Sequence, residues 1–142
     1  MANAIFTRYF TGIQLADYDL TVASIKCSLV RGYSFNAADS TVADVVSAGG
    51  TLNGTSAALA SPSVTSGVFD ANDTSITTTA SASNHNLLLF QSSAVTGGAD
   101  VAQNLQLLIA LYDTGTGLPI QPGTGTVTVT WSNGANKILK LS

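Results

Sequence analysis

The segment Thr126-Val-Thr-Val-Thr-Trp131 alternates between polar and apolar residues without interruption. Because successive side chains of a β-strand point to opposite faces of a sheet, its three apolar side chains share one face and its threonines the other. Asn133-Gly134 follows, a pair that favours the type I′ turn of a tight hairpin. The pattern predicts a half-buried strand that turns back to pair with a second strand over Lys137–Leu141.

Strand patterns recur upstream of this segment. Apolar residues alternate with polar ones from Ala23 to Leu29, which predicts a strand with Cys27 as a core residue rather than a reactive thiol. Leu87–Phe90 and Leu105–Tyr112 are apolar on both faces, as in central strands or strands covered by a partner. Shorter strands rich in Thr and Ser are predicted over Thr51–Leu59, Ser63–Val68 and Thr74–Thr79.

Two short helices are predicted near the N-terminus. The first begins after Asn3 as N-cap, carries an apolar stripe over Ile5–Phe10 and stops at Gly12. The second begins after Asn36, has Asp39 in its first turn and Val42, Val45 and Val46 on one face, and ends at Gly49-Gly50. With about seven or eight strands, the expected fold class is mainly β: an antiparallel β-sandwich or jelly roll in a single domain, residues 1–142.

Charge is scarce in this chain. Five basic and eight acidic residues make up 9% of the sequence, against about 25% in a typical soluble domain, and no basic residue lies between Gly32 and Asn136. With a pI near 4.5 and no basic stripe, the chain lacks the counterion-release force behind most nucleic-acid affinity. We expect no nucleic-acid partner. The mean hydropathy of +0.32 predicts instead that protein covers much of the surface, either other copies of the chain or a larger assembly.

No stretch of the sequence predicts a targeting or membrane segment. The N-terminal residues lack the apolar run of a secretory signal, and nowhere do 18 apolar residues run together. We therefore expect a protein made in a cytoplasm and without a membrane partner.

Asp113-Thr-Gly115 is the sharpest enzymatic signal. It follows the apolar run Leu107–Tyr112, as the catalytic carboxylate of an aspartic protease follows its strand, and a homodimer would pair two such carboxylates. The downstream apolar-apolar-Gly segment that braces that catalytic loop is not evident, so an ordinary turn is favoured.

The remaining candidate sites are weaker. Asp70–Thr74 offers several oxygens, but it lacks the Gly and Glu of a calcium loop, so a plain turn is favoured. His85 is the sole histidine and Cys27 the sole cysteine, so neither a shared metal site nor an intrachain disulfide is expected. We expect no catalytic residue, no metal and no cofactor, hence a protein that is not an enzyme.

Three stretches carry a resemblance to a known family: Gly67–Asp73, Leu111–Pro119 and Val127–Leu139. The opening Met-Ala-Asn-Ala and the stretch Val30–Phe35 also match, so the likeness covers nearly the whole chain. On these residues the chain resembles the capsid cement or decoration proteins of tailed bacteriophages, the head-stabilising proteins. Thr51–Ser66 and Ser92–Asp100 depart from that pattern.

The resemblance implies a structural virion protein with a β-sandwich or jelly-roll unit. Such a unit binds across coat-protein subunits on the outer capsid surface, with the major capsid protein and other copies of itself, as a dimer or trimer, for partners. A tail or head-tail component is the first alternative. A carbohydrate-binding β-sandwich and the homodimeric aspartic protease are the others.

The placement of the basic residues predicts a docking surface. All five lie within the first 31 or last six positions, and chain termini often lie close together in a domain. Arg8, Lys137 and Lys140 are therefore expected to form a basic foot that docks on an acidic coat surface.

Overall fold

The chain folds into antiparallel strands with two helices close to its N-terminus. We describe it from a computed structural model, which covers residues 3–134 and 137–140. In chain order the elements are β1 (Ala4–Ile5), α1 (Thr7–Gln14), β2 (Ser24–Arg31), α2 (Val42–Ser47), β3 (Thr51–Thr55), β4 (Ser63–Thr65), β5 (Val68–Asp70), β6 (Thr74–Thr78), β7 (Asn86–Ser93), a 3₁₀ turn (Gln103–Leu105), β8 (Leu107–Tyr112), β9 (Gly125–Val129) and β10 (Leu139–Lys140).

Five strands form the first sheet, in the order β1-β8-β7-β2-β3. At its centre Leu89 of β7 lies opposite Cys27 of β2 on one side and opposite Ala110 of β8 on the other. A strand that is apolar on both faces is stable where both faces are covered, and β7 and β8 take such inner positions.

The chain itself covers both faces of this sheet. On one face Leu89 and Ile109 join a core with side chains from β5, β6 and β10. On the other face Leu88 packs in a second core with Phe6 and Val42 from the N-terminal part of the chain. The apolar faces that suggested a covering partner are thus buried within one chain. They no longer support self-association, which stays a prediction.

The second layer consists of two small sheets, β10-β5-β4 and β6-β9. The β6-β9 ladder runs without a bulge, with Ile76 opposite Val127. Val127 and Val129 pack against the first core, and Trp131 is buried, while the threonines between them are exposed. The alternation predicted for Thr126–Trp131 is therefore confirmed, as is the mainly β, sandwich-like class with two short N-terminal helices.

The predicted hairpin at Asn133-Gly134 is wrong. β9 pairs with β6, and β10 pairs with β5, where Leu139 lies opposite Phe69. The physical reason is competition from the core: Ile138 and Leu139 are buried in it, and the Tyr112 hydroxyl donates to the Ile138 carbonyl at 2.7 Å. Leu141, the predicted end of the return strand, lies outside the described residues.

The first helix begins later than predicted. Ala4 and Ile5 pair with β8 as a short strand, so α1 starts at Thr7, and Asn3 is not its N-cap. Gly12 lies inside α1 rather than after it. A Cβ at Gly12 would lie 2.2 Å from Cε2 of Tyr18, so a close approach, not a helix stop, requires the glycine.

The second helix is capped by Thr41 rather than by Asn36. The Asp44 carboxylate accepts hydrogen bonds from the Ser40 and Thr41 backbone N–H groups at 2.9 and 2.8 Å, which completes a capping box. These bonds lower the pKa of Asp44, because they stabilise the charged carboxylate. The stop at Gly49-Gly50 is confirmed: α2 ends at Ser47, and Gly49 has a φ of +96°.

Candidate functional site

A groove of about 1200 Å³ opens between the two layers. Strands β1, β8, β9 and β10 contribute to its walls, together with the turn between β8 and β9. Most of its lining side chains are apolar, among them Ile5, Tyr112, Val129 and Trp131. The volume exceeds the roughly 300–1,000 Å³ of ordinary small-molecule pockets, so the groove has room for a segment of polypeptide.

The charges that line the groove are of one sign. Lys137 and Lys140 line it, and no carboxylate does so in the described part of the chain. The Lys137 ammonium lies 2.8 Å from the Asp70 carboxylate, so its charge is partly compensated. Lys140 is exposed and forms no ion pair with a described residue. The groove therefore has a positive end.

The outer edge of β9 borders this groove. β9 pairs with β6 along one edge, and no described strand pairs with the other. In a strand bonded on one side, every second residue directs its N–H and C=O away from the ladder. Main-chain donors and acceptors are thus left open beside an apolar wall.

The predicted docking residues are divided between two places. Lys137 and Lys140 line the groove together. Arg8 does not line it; it lies on α1, where its guanidinium pairs with the Asp17 carboxylate at 2.5 Å. No residue of α1 lines the groove, so the three basic residues do not form one surface there.

Helix α1 carries an exposed apolar surface that sequence reasoning missed. Phe10 and Ile13 are 48% and 37% exposed; we call these two residues the α1 patch. Leu15, 63% exposed, follows the helix and is not part of the patch. The predicted stripe placed Phe10 with Phe6 and Tyr9, but only the latter two are buried. The spacing of Phe10 and Ile13, three positions apart on one helix, was the available signal.

The Asp113-Thr-Gly115 segment leads from β8 into a turn over residues 115–118 and is held by hydrogen bonds to Asn3. The Asn3 side-chain oxygen accepts hydrogen bonds from the backbone N–H groups of Asp113 and Thr114 at 3.1 and 3.0 Å, and from the Thr114 hydroxyl at 3.0 Å. Asn3 thus satisfies the backbone N–H groups of Asp113 and Thr114. These hydrogen bonds give both residues a structural role.

The Asp70–Thr74 loop uses its carboxylates within the fold. Asp70 pairs with Lys137, and Asp73 accepts a hydrogen bond from the Trp131 backbone N–H at 2.9 Å. Among the residues that the structure describes, no three His, Cys, Asp or Glu side chains lie together as metal ligands would.

The sole cysteine, Cys27, and the sole histidine, His85, are both buried. Cys27 is fully buried in the first core, and burial raises the pKa of its thiol to about 11, which keeps it protonated at neutral pH. His85 is also fully buried; its Nδ1 lies 2.8 Å from the Ser83 carbonyl oxygen and its Nε2 lies 3.5 Å from the Asn53 amide nitrogen. The expectation of Cys27 as a core residue is confirmed.

No helix among the described residues has the length and apolar character needed to cross a bilayer. Comparison with protein-family models, with curated proteins and with solved structures found no match to this chain.

Proposed function

We propose that this chain is a structural virion protein, which decorates and stabilises the capsid of a tailed bacteriophage by binding across coat-protein subunits. The family resemblance of the sequence motivates the proposal. The observation that carries it is the α1 patch, an apolar surface on a chain that has few charges with which to keep it in water.

The composition of the patch suits a protein partner. Phe10 supplies an aromatic side chain, a residue type enriched at the centres of interfaces, and Ile13, three positions later on the same helix, adds aliphatic area beside it. The nearest described basic group on the helix, Arg8, is already paired with Asp17. The contribution of this patch to docking would therefore be mainly apolar and weakly dependent on salt, so any strong salt dependence of shell binding would come from Lys137 and Lys140 in the groove.

Stabilisation of the shell needs no chemistry. A protein that binds the assembled coat but not its free subunits shifts the assembly equilibrium by mass action. The proposal therefore includes no catalytic step and no cofactor. The protein would work on the outer capsid surface, after synthesis in the host cytoplasm.

The test is binding to empty shells assembled from the coat protein of the same phage, in their unexpanded and expanded forms. We expect saturable binding to expanded shells and a higher melting temperature of the decorated shell. Binding to isolated tails instead, or to neither structure, would refute the proposal and favour a tail component or another function.

A pair of variants locates the contact. Phe10→Ser combined with Ile13→Ser should abolish most shell binding, because it removes both apolar side chains of the α1 patch. Val64→Ser is the matched control: Val64 is 47% exposed on β4, which is not part of the patch, and its replacement should leave binding unchanged. Equal binding by both variants would mean that the coat docks elsewhere.

A further inference from the structure

The edge strands of this fold differ in how well they are protected. β1, β4 and β10 are only two or three residues long, and short edges offer little to a foreign strand. β3 is approached by β6: a Cβ at Gly54 would lie 2.1 Å from the Thr77 carbonyl oxygen. These edges need no further partner.

β9 has none of these protections. Its sequence, Gly-Thr-Val-Thr-Val, contains no charge and no proline, and its ladder with β6 has no bulge. Val and Thr have high β-propensity, so the strand is a good template for another strand. Natural proteins normally protect an edge of this kind, and its exposure indicates that something covers it in the working state.

The lining of the groove beside β9 determines which chemical properties an occupant needs. The open N–H and C=O groups require an extended main chain. The apolar wall requires apolar side chains at alternate positions, and β9 itself spans about 17 Å at roughly 3.4 Å per residue. Lys137 and Lys140, the only charges lining the groove in the described part of the chain, favour an acidic residue near their end.

We propose that the groove receives an extended segment of a coat subunit, which adds to β9 as a new strand. This inference rests on the proposed function and names the part of the partner that is bound. A second copy of this chain is the competing occupant. The groove calls for a segment with an acidic residue beside Lys137 and Lys140, and we assign that segment to the coat because β9, the free edge that a second copy would pair with it, is uncharged.

Hydrogen exchange at the amides of β9 tests the proposal directly. In the free protein no described strand pairs with the groove-facing amides of β9, so we expect them to exchange quickly. On expanded empty shells the same amides should become protected, because they would donate to the added strand. Bound protein whose β9 exchange is unchanged would overturn the inference while leaving the proposed function intact.

The other outcomes are equally distinct. No binding to shells would overturn the proposed function and this inference together. Protection of β9 that grows with protein concentration in the absence of shells, and does not change on shell binding, would identify a second copy as the occupant and overturn the inference.

A matched pair of variants provides a second measurement. Thr128→Asp places a negative charge on the exposed face of β9 at the groove, where it repels an acidic segment and interrupts the free edge. Ser75→Asp places the same side chain directly opposite, on β6, which does not line the groove. We expect Thr128→Asp to weaken shell binding by about tenfold or more and Ser75→Asp by less than about twofold. Equal effects of the two variants would refute strand addition at β9.

Discussion

Truncation of two neighbouring leucines tests whether a single chain buries both faces of the first sheet. Leu88 and Leu89 follow one another on β7, both are 0% exposed, and they point into different cores. Replacement of a fully buried leucine by alanine costs about 2–5 kcal/mol, the lost transfer free energy plus that of the cavity left behind. For a chain of this length each kcal/mol lowers the melting temperature by about 2–4 °C, so each variant should melt roughly 4–20 °C lower.

The assay is urea unfolding followed by the fluorescence of Trp131, the only tryptophan, which is buried in the second layer. Leu105→Ala is the control, because Leu105 is 60% exposed and its loss should change the free energy of unfolding by no more than about 0.5 kcal/mol. The measurement is made at two widely separated protein concentrations. A cost for Leu88→Ala that matches the control, or that depends on protein concentration, would show that a partner and not Phe6 and Val42 covers that face.

Three further predictions concern charged side chains. Asp44→Ala should destabilise the fold by about 0.5–2 kcal/mol in chemical denaturation, since it removes the capping box of α2. Because the native pKa of Asp44 is lowered, the carboxylate stabilises the fold above its unfolded-state pKa of about 3.9, and this contribution is lost as the pH falls through the native pKa. The stability of the variant should therefore fall less than that of the parent protein between neutral and acidic pH. Asp113→Asn should retain shell binding, and neither form should cleave peptide or coat substrates; acid-dependent cleavage that is absent from the variant would restore the protease alternative. Replacing Arg8, Lys137 and Lys140 together by Gln should weaken shell binding and flatten its salt dependence. The melting temperature should change little, because ion pairs that solvent reaches, such as those of Arg8 and Lys137, contribute about 0–1 kcal/mol each. Unaltered affinity at low ionic strength would show that the basic residues do not dock the coat.

Local patterns predicted the strands well. The alternation around Cys27 and that from Thr126 to Trp131 depend only on which face of a strand meets a core, and this information is contained in a few consecutive residues. The stop of α2 at Gly49 is equally local, because a positive φ at a helix end favours glycine.

Pairing and capping could not be predicted from such patterns. Asn133-Gly134 favours a hairpin, but the pairing of Leu139 with Phe69 depends on residues about seventy positions apart that no short window compares. Asn3 is similar: its side chain suits an N-cap, yet it accepts hydrogen bonds from residues 113 and 114.

The candidate site was predicted only in part. The sequence placed Lys137 and Lys140 near each other, and both line the groove, whereas Arg8 lies on a helix and pairs with Asp17. The groove itself and the free edge of β9 follow from the strand order, which the alternation of Val and Thr does not determine. Docking through any of these residues stays a prediction.

The contact of Asn3 with the segment after β8 can form only late in the synthesis of the chain. The two partners are 110 positions apart, and β1 joins the first sheet only by pairing with β8. At about 5–20 residues per second, a ribosome needs roughly 5–20 seconds to deliver the partner of the strand that it made first. Until then the apolar inner strands lack an edge, and contacts this distant in sequence also slow folding to about milliseconds or seconds. The newly made chain therefore passes through a period in which its β7 strand is open to aggregation, and rapid synthesis would make chaperone binding a determinant of yield.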